Sequence, residues 1–457
     1  MKRRDMFRLI PLTLPALCAV PGALHAQERS FPKQGKDEPL ALMYTRRVRE
    51  MLMQVRETQS DKILEAAYAI ARTVEKGNRC WCCWDLGHTN NSDIFPERNG
   101  EPELVTAGYD EKQVKNGDLV LANFPWPAGY MDDLAKKDLF VVGGPCPWGG
   151  DIPNAAEYIT PEIQRLKIRP FADIWIETNV DFMGAQVKIP GSPANLGPES
   201  GPLNATIFWM MMADACRILS RDGKPVKVKG DEPKLTDKAV RVSLNEPLMD
   251  NFFDTIMMQL EMIQMEMGNI RKMAGMAVDT LLSGGNVYFY SRYPESLANE
   301  ASGRRGGFAF ARGLSDGNIQ GTSKDCVIMG TYKPDDEADL RNLDKMKSLG
   351  MKIASIGPVT RDSVIPGGKI IAGETSVHVG RMTDTYGLFA VPGFEKKVCP
   401  TSGIIATSIL WTMSAEIVQQ VIDRTGGNIP GINFNGALKW GGSYDTQMSA
   451  FSQSRGY

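Results

Sequence analysis

Histidine is nearly missing from this chain: His25, His88 and His378 are the three in 457 residues. So few imidazoles exclude histidine-rich metal centres and leave little material for a histidine relay. Long apolar runs are also missing, since no stretch approaches the roughly 20 residues that a spanning helix needs. Charge of one sign is not in excess either. Against 52 Lys+Arg stand 54 Asp+Glu, a net charge of −2, so the whole-protein balance gives no basis for nucleic-acid binding. Eight cysteines are too sparse for a disulfide-stapled scaffold. What is present is 42% hydrophobic and 23% charged residues, globular proportions that exclude long disorder. With 45 glycines and 24 methionines, turns and adaptable core filling are well supplied. The length suggests two or three domains, two being simplest.

The N-terminus has the plan of a signal peptide. Lys2-Arg3-Arg4 precede the apolar stretch Leu9 to Val20, interrupted by Pro11 and Pro15, and small residues follow at Gly22, Ala23 and Ala26. Arg3-Arg4-Asp5-Met6-Phe7-Arg8 is similar to the twin-arginine consensus, with Met for the usual Phe and Phe for the usual Leu. An ordinary secretory signal is the alternative. Cleavage after Ala26 would remove residues 1–26, His25 and Cys18 among them, and release a periplasmic or extracellular chain with no stable membrane insertion.

Cys80-Trp81-Cys82-Cys83-Trp84 is the one local cysteine cluster. In a strand, Cys80 and Cys82 share a face and Cys83 takes the other, so the three do not converge on one ion. Buried strand thiols are the leading reading; a disulfide to Cys146 and a metal site are the alternatives.

An internal repeat organises the chain. Glu75-Lys76-Gly77-Asn78 before Cys80 to Trp84 resembles Ser283-Gly284-Gly285-Asn286 before Val287 to Tyr290, and Gly117-Asp118 before Leu119 to Ala122 resembles Lys324-Asp325 before Cys326 to Met329. Asp181 with Pro190-Gly191 resembles Asp384 with Pro392-Gly393, and Gly197-Pro198-Glu199-Ser200-Gly201 resembles Cys399-Pro400-Thr401-Ser402-Gly403. From Asn78 to Asn286, Asp118 to Asp325, Asp181 to Asp384 and Pro198 to Pro400 the offsets are 208, 207, 203 and 202 residues. Such slow drift fits a duplicated domain with small loop deletions. Each half reads as a helix, a turn, a buried strand, a polar loop and helix, a second strand, a helix, further strands and a closing helix. Strands alternating with helices imply an α/β class with parallel sheets. The expected domains span 41–221 and 238–425, joined by a charged linker over 222–237 and followed by a surface tail over 426–457. The Met-rich helix from Leu248 to Leu282 is expected to face a core.

At this point a family resemblance enters. Lys324 to Gly330, the helical stretch Asp335 to Lys347 and Gly350 to Ile356 resemble the second strand, helix and third strand of SIS (sugar isomerase) domains. Ala172 to Glu177, Gly197 to Gly201 and the helix Ala205 to Leu219 look like the C-terminal half of that domain, and Asn299 to Gly307 is similar to a segment after its first strand. The resemblance covers 41 to 425 as two copies. It implies two tandem flavodoxin-like three-layer αβα domains, each a sheet of five parallel strands binding ligands beyond the carboxyl ends. It also implies carbohydrate-derivative ligands, usually phosphosugars held by a Ser/Thr-rich loop after the second strand. Here the loops depart from that pattern. Asn123-Phe124-Pro125-Trp126-Pro127 is aromatic and proline-rich, and Gly330-Thr331-Tyr332-Lys333-Pro334-Asp335-Asp336 carries two acids. An unphosphorylated sugar or derivative is therefore expected, with no cofactor and no metal.

Candidate site residues follow from position. His88, with Asn90, Asn91 and Ser92, lies in the polar loop after the first strand, and Ser291, Arg292, Ser296, Glu300 and Arg304 occupy the equivalent place in the second half. Glu300 is the preferred base for enediol proton transfer, its alternative being a surface carboxylate paired with Arg304 four residues on. His88 or His378 is the expected partner acid, although His378 also reads as a packed strand histidine. Trp126 is placed to stack on a sugar ring. Ser200 and Ser402 open the last helix of each copy, where they bind ligand or cap the helix. The leading reading is an exported sugar-binding protein with isomerase-like chemistry. Its rival is a non-catalytic binding or scaffold protein of the same fold, and a hydrolase using His88, Asp85 and Asp93 is weakest. The duplication suggests that the copies pack as SIS dimers do, and a homodimer of the whole chain is open.

Overall fold

The computed structural model describes residues 38–86, 100–123, 129–145, 167–180, 185–189, 195–230, 233–292, 297–303, 308–358, 369–381, 383 and 387–426. The expected signal peptide, Cys146 and the tail beyond Gly426 lie outside these residues. From Pro39 onward the chain forms one compact unit.

Both copies open with a helix that stops at a glycine. Helix α1 (Leu40–Glu75) ends where Gly77 takes φ +72° and Asn78 N–H returns to the Thr73 carbonyl. Helices α4 (Leu248–Met262) and α5 (Met267–Leu282) play this part in the second copy, closed by Gly284 at φ +83° and by Gly285 N–H donating to the Thr280 carbonyl. Glycine costs nothing in this left-handed conformation, which is why Gly-Asn and Gly-Gly recur there. The landmark aspartates have a matching role. Asp118 accepts from Arg79 N–H at 3.1 Å and Asp325 from Asn286 N–H at 2.7 Å, each tying the start of one strand to the loop before its neighbour.

In the first sheet the strands are β1 (Cys80–Cys83), β2 (Thr106–Ala107), β3 (Leu119–Ala122), β4 (Phe140–Gly143) and β5 (Ile174–Trp175). Their order is β2-β1-β3-β4-β5, every pair parallel. The hairpin β6 (Ala185–Lys188) and β7 (Asn195–Pro198) then leads into α3 (Ser200–Arg221). A second sheet holds β8 (Val287–Tyr290), β9 (Ala311–Leu314), β10 (Cys326–Gly330), β11 (Lys352–Gly357) and β12 (Val377–Gly380), again all parallel, in the order β9-β8-β10-β11-β12. The repeat thus maps strand for strand, and the expected α/β class with five-stranded parallel sheets is present. This 2-1-3-4-5 order is the flavodoxin-like one.

Alternation along the strands assigns the layers. Cys80, Cys82, Leu119 and Leu121 of the first sheet, with Val287, Phe289, Cys326 and Ile328 of the second, share one large core with α1, α3, α4, α5 and α8 (Ser402–Thr425). Trp81, Cys83, Val120 and Val141 pack outward with Tyr130 and Leu134 of α2 (Gly129–Lys136). On the far side, Tyr288, Tyr290, Val327 and Ile353 pack against Leu343 and Met346 of α6 (Glu337–Ser348), with Ile371 of α7 (Ile371–Glu374) in the same cluster. The helices between the sheets are therefore apolar on more than one side, and α3 has 20 of its 22 residues buried. Cys80, Cys82 and Cys83 are buried free thiols on the faces expected from strand alternation.

The charged segment 222–237 is anchored. Lys227 and Lys229 exchange backbone hydrogen bonds with Glu103 and Glu101, and Leu235 N–H donates to the Glu395 carbonyl.

Candidate functional site

At the carboxyl end of the first sheet, uncharged polar groups gather around Trp84. The Trp84 indole N–H donates to the Asn204 carbonyl at 3.0 Å, which reaches α3 from the end of β1. Gly144 makes room: a Cβ there would lie 2.9 Å from the indole ring. Asn123, just after β3, accepts from Asp85 N–H at 2.5 Å through Oδ1, while its Nδ2 is buried with no hydrogen-bond partner among the described residues. Asn204, in the first turns of α3, is 0% exposed, and neither end of its carboxamide has a partner among the described residues. After β5, the Thr178 hydroxyl and the Asn179 amide nitrogen likewise have no partner among the described residues. Leaving such groups buried and unpaired costs about 1–3 kcal/mol each. Groups of this kind are satisfied by ordered water or by a neutral, hydroxyl-bearing ligand.

The corresponding edge of the second sheet is more occupied by the chain itself. Asp336 caps α6, accepting from Ala338 and Asp339 N–H at 3.0 and 3.1 Å, and it receives Arg292 Nη1 at 2.9 and 2.7 Å. The helix N-terminus that would face an anion already holds a carboxylate. Behind it, the Tyr290 hydroxyl donates to Asp339 at 3.0 Å and accepts from Asn342 at 2.8 Å. Burial, with the nearby Asp336 charge second, pushes the Asp339 carboxyl up to about 7. Arg381, 2% exposed, donates to the carbonyls of Thr331 and Tyr332 at 3.3 and 3.2 Å. The hydroxyls of Thr331 and Ser402 are buried with no partner among the described residues.

Glu300 and His378 do not converge. Glu300 lies in a π-helical turn (Asn299–Gly303) and is 0% exposed; its Oε1 accepts the Trp411 indole N–H at 3.0 Å on the side of the shared core. It is therefore not the surface carboxylate weighed as the alternative. His378 sits mid-strand on edge strand β12, with its Nδ1 2.8 Å from Ser355 Oγ of β11. Its neighbours Val377 and Val379 pack into the shared core, so the imidazole takes the opposite face. Three strand spacings, about 14 Å, separate β12 from β8. The expected Glu300–His378 pair is corrected on both counts, face and distance. Burial holds the His378 imidazole below its ordinary value.

The other expected positions divide similarly. Ser291 Oγ accepts Ala298 N–H at 3.0 Å, so it and Arg292 serve the loop and Asp336. Ser200 and Ser402 are buried at the starts of α3 and α8, but the caps are Glu199 and Thr401, neither making a side-chain cap hydrogen bond. His88, Asn90, Asn91, Ser92, Trp126, Ser296 and Arg304 lie outside the described residues. Among the described residues no group of three or more His, Cys, Asp or Glu is placed to hold a metal, and no helix is long and apolar enough to cross a membrane. Asn204 and Thr178 were missed because an apolar helix and a strand end give no sequence sign that a buried amide or hydroxyl lacks a partner.

No protein-family model matches the sequence, and no curated protein matches it. Solved structures are similar at low identity. The C-terminal domain of glucosamine-fructose-6-phosphate aminotransferase from Francisella tularensis matches at 12% identity and TM-score 0.42, over 81% of this chain and 96% of that one. Glucosamine-6-phosphate deaminase from Thermotoga maritima matches at 12% identity and TM-score 0.39, over 87% and 97%. A provisionally named phosphosugar isomerase from Silicibacter pomeroyi matches at 8% identity and TM-score 0.45, over 85% and 99%.

Proposed function

We propose that this chain is an exported, tandem SIS-type protein that binds an unphosphorylated sugar or sugar derivative, and that it binds without isomerising. The carrying observation is the pair of buried carboxamides, Asn123 and Asn204, beside Trp84 at the carboxyl end of the first sheet. Amides offer a donor and an acceptor without charge, the match for vicinal hydroxyls, and a tryptophan face suits the apolar face of a sugar ring. Asp336 on the α6 N-terminus supports a ligand without phosphate. Separation of Glu300 from His378 supports binding over proton transfer.

Asn204→Ala separates a ligand role from a folding role. Because the amide has no partner among the described residues, its removal is expected to leave thermal stability equal or slightly higher. Stabilisation by a panel of neutral sugars, measured by thermal shift, falls by at least tenfold in apparent affinity. A destabilised variant that still binds would contradict the assignment. Incubation with ketoses and aldoses in heavy water is expected to leave their carbon-bound hydrogens unexchanged.

Export through the twin-arginine route is part of the proposal, resting on Arg3-Arg4 and the apolar stretch after them. Replacing Arg3 and Arg4 by lysine is expected to hold the chain inside the cell in fractionation assays. Undiminished export would assign the signal to general secretion.

A further inference from the structure

The repeat sets a glycine against a cysteine at one backbone position. Gly197 precedes α3 and Cys399 precedes α8, 202 residues later in the matching motif. Both adopt the left-handed conformation, Gly197 at φ +74° and Cys399 at φ +64°. Glycine suits this geometry, and at Gly197 a Cβ would also lie 2.5 Å from the Tyr44 ring. Among the described residues only Asn179 and Cys399 hold a positive φ without being glycine. Asparagine tolerates that region, whereas cysteine is held there at a cost in backbone strain. The backbone fixes it firmly, since Cys399 N–H donates to the Gly100 carbonyl and its own carbonyl accepts Leu388 N–H.

What the cysteine gains for this strain is a partner. Its thiol neighbours that of Cys216, on α3 of the first copy, and both lie in the core that the two copies share. At the position of Cys216 the second copy carries Val418, again 202 residues on, so neither thiol belongs to the repeat. The two belong to opposite copies and meet where the copies share a core. Both are 0% exposed.

We propose that Cys216 and Cys399 are a redox pair that closes to a disulfide joining the two copies. Closure oxidises two thiols and reduces one external disulfide of the glutathione or thiol-oxidoreductase class. One external sulfur first forms a mixed disulfide with either cysteine. The second cysteine, as thiolate, then displaces it, so that one S–S bond forms, one S–S bond breaks, and two external thiols leave with both protons. Burial holds the Cys399 thiol well above its ordinary value, so the reaction belongs to folding or to transient opening rather than to the packed state. Once closed, the same burial keeps reductants out.

The test uses the full chain refolded with glutathione disulfide, then denatured and alkylated. The wild type is expected two hydrogens lighter than its reduced form, with one linked peptide pair carrying Cys216 and Cys399. Oxidation raises the thermal midpoint by roughly 5 °C or more, as closing a loop of this length does. Cys399→Gly restores the residue of the first copy, relieves the strain and folds, yet loses both the link and the redox-dependent shift. Cys216→Ser loses the link as well. Full alkylation of both cysteines in the natively refolded chain, or a link through Cys80, Cys82, Cys83 or Cys146 instead, would overturn the proposal.

Discussion

Asp339 is the residue whose chemistry departs most from its type. It is 3% exposed, held by the Tyr290 hydroxyl, and lies near Asp336 and Asp316 with Arg292 as the countering charge. With the folded carboxyl raised to about 7 and the unfolded one near the ordinary value of about 4, the folded chain keeps a proton that the unfolded chain releases. Its contribution is therefore full below about pH 4 and is lost as pH rises toward about 7, a loss of order 4 kcal/mol. Asp339→Asn mimics the protonated form and is expected to remove that loss. Urea midpoints at about pH 5 and about pH 8 check this: the wild type is weaker at the higher pH, and the variant much less so. Equal slopes would place the titration elsewhere. Nothing in the sequence marks Asp339 of α6 among 54 acidic residues, because its burial depends on Tyr290 from strand β8. Cys80, Cys82 and Cys83 were legible for the opposite reason, since strand alternation alone assigns their faces.

At the scale of elements, the turns and helix ends were the readable parts. Gly77, Gly284 and the aspartates Asp118 and Asp325 announce strand starts through local rules that neither copy can alter cheaply. The edge strand β2 was not read, since two residues carry no periodicity, and its counterpart β9, Ala311–Leu314 with burial only at its two ends, shows no apolar run. The segment 222–237 reads as a linker from its composition, and only its pairing with Glu101, Glu103 and Glu395 shows that it is fastened. One element junction was equally hidden. Asp214 of α3 pairs with Arg217 and accepts Met249 N–H at 2.9 Å, tying the end of α3 to the start of α4. With side-chain exposures of 0% and 5%, the pair has little solvent to fall back on. Asp214→Ala strands the guanidinium and the Met249 N–H, and a loss of about 3–5 kcal/mol in denaturant unfolding is expected. Replacing both partners with apolar residues costs less than the single change; a larger loss for the double variant would contradict a desolvation-dominated pair.

Across the whole molecule, duplication explains the layer plan. Two parallel sheets, each with an apolar inner face, bury five helices between them, so helices of both copies are shielded from solvent nearly all round. The offsets of the repeat made a duplicated α/β domain legible in the sequence, whereas the helices that the two sheets bury between them and the divergence of the two carboxyl edges were not. The first edge leaves neutral amides unsatisfied, and the second turns its own Asp336 into the anion of a helix N-terminus. That asymmetry underlies the central claim of a neutral carbohydrate ligand. Titration calorimetry of the protein with matched pairs, each a free sugar or amino sugar and its 6-phosphate, tests it most directly. Saturable binding is expected for the free member of at least one pair, with no gain from the phosphate and with loss in Asn204→Ala. Tighter binding of the phosphorylated member throughout, or binding unchanged by Asn204→Ala, would contradict it.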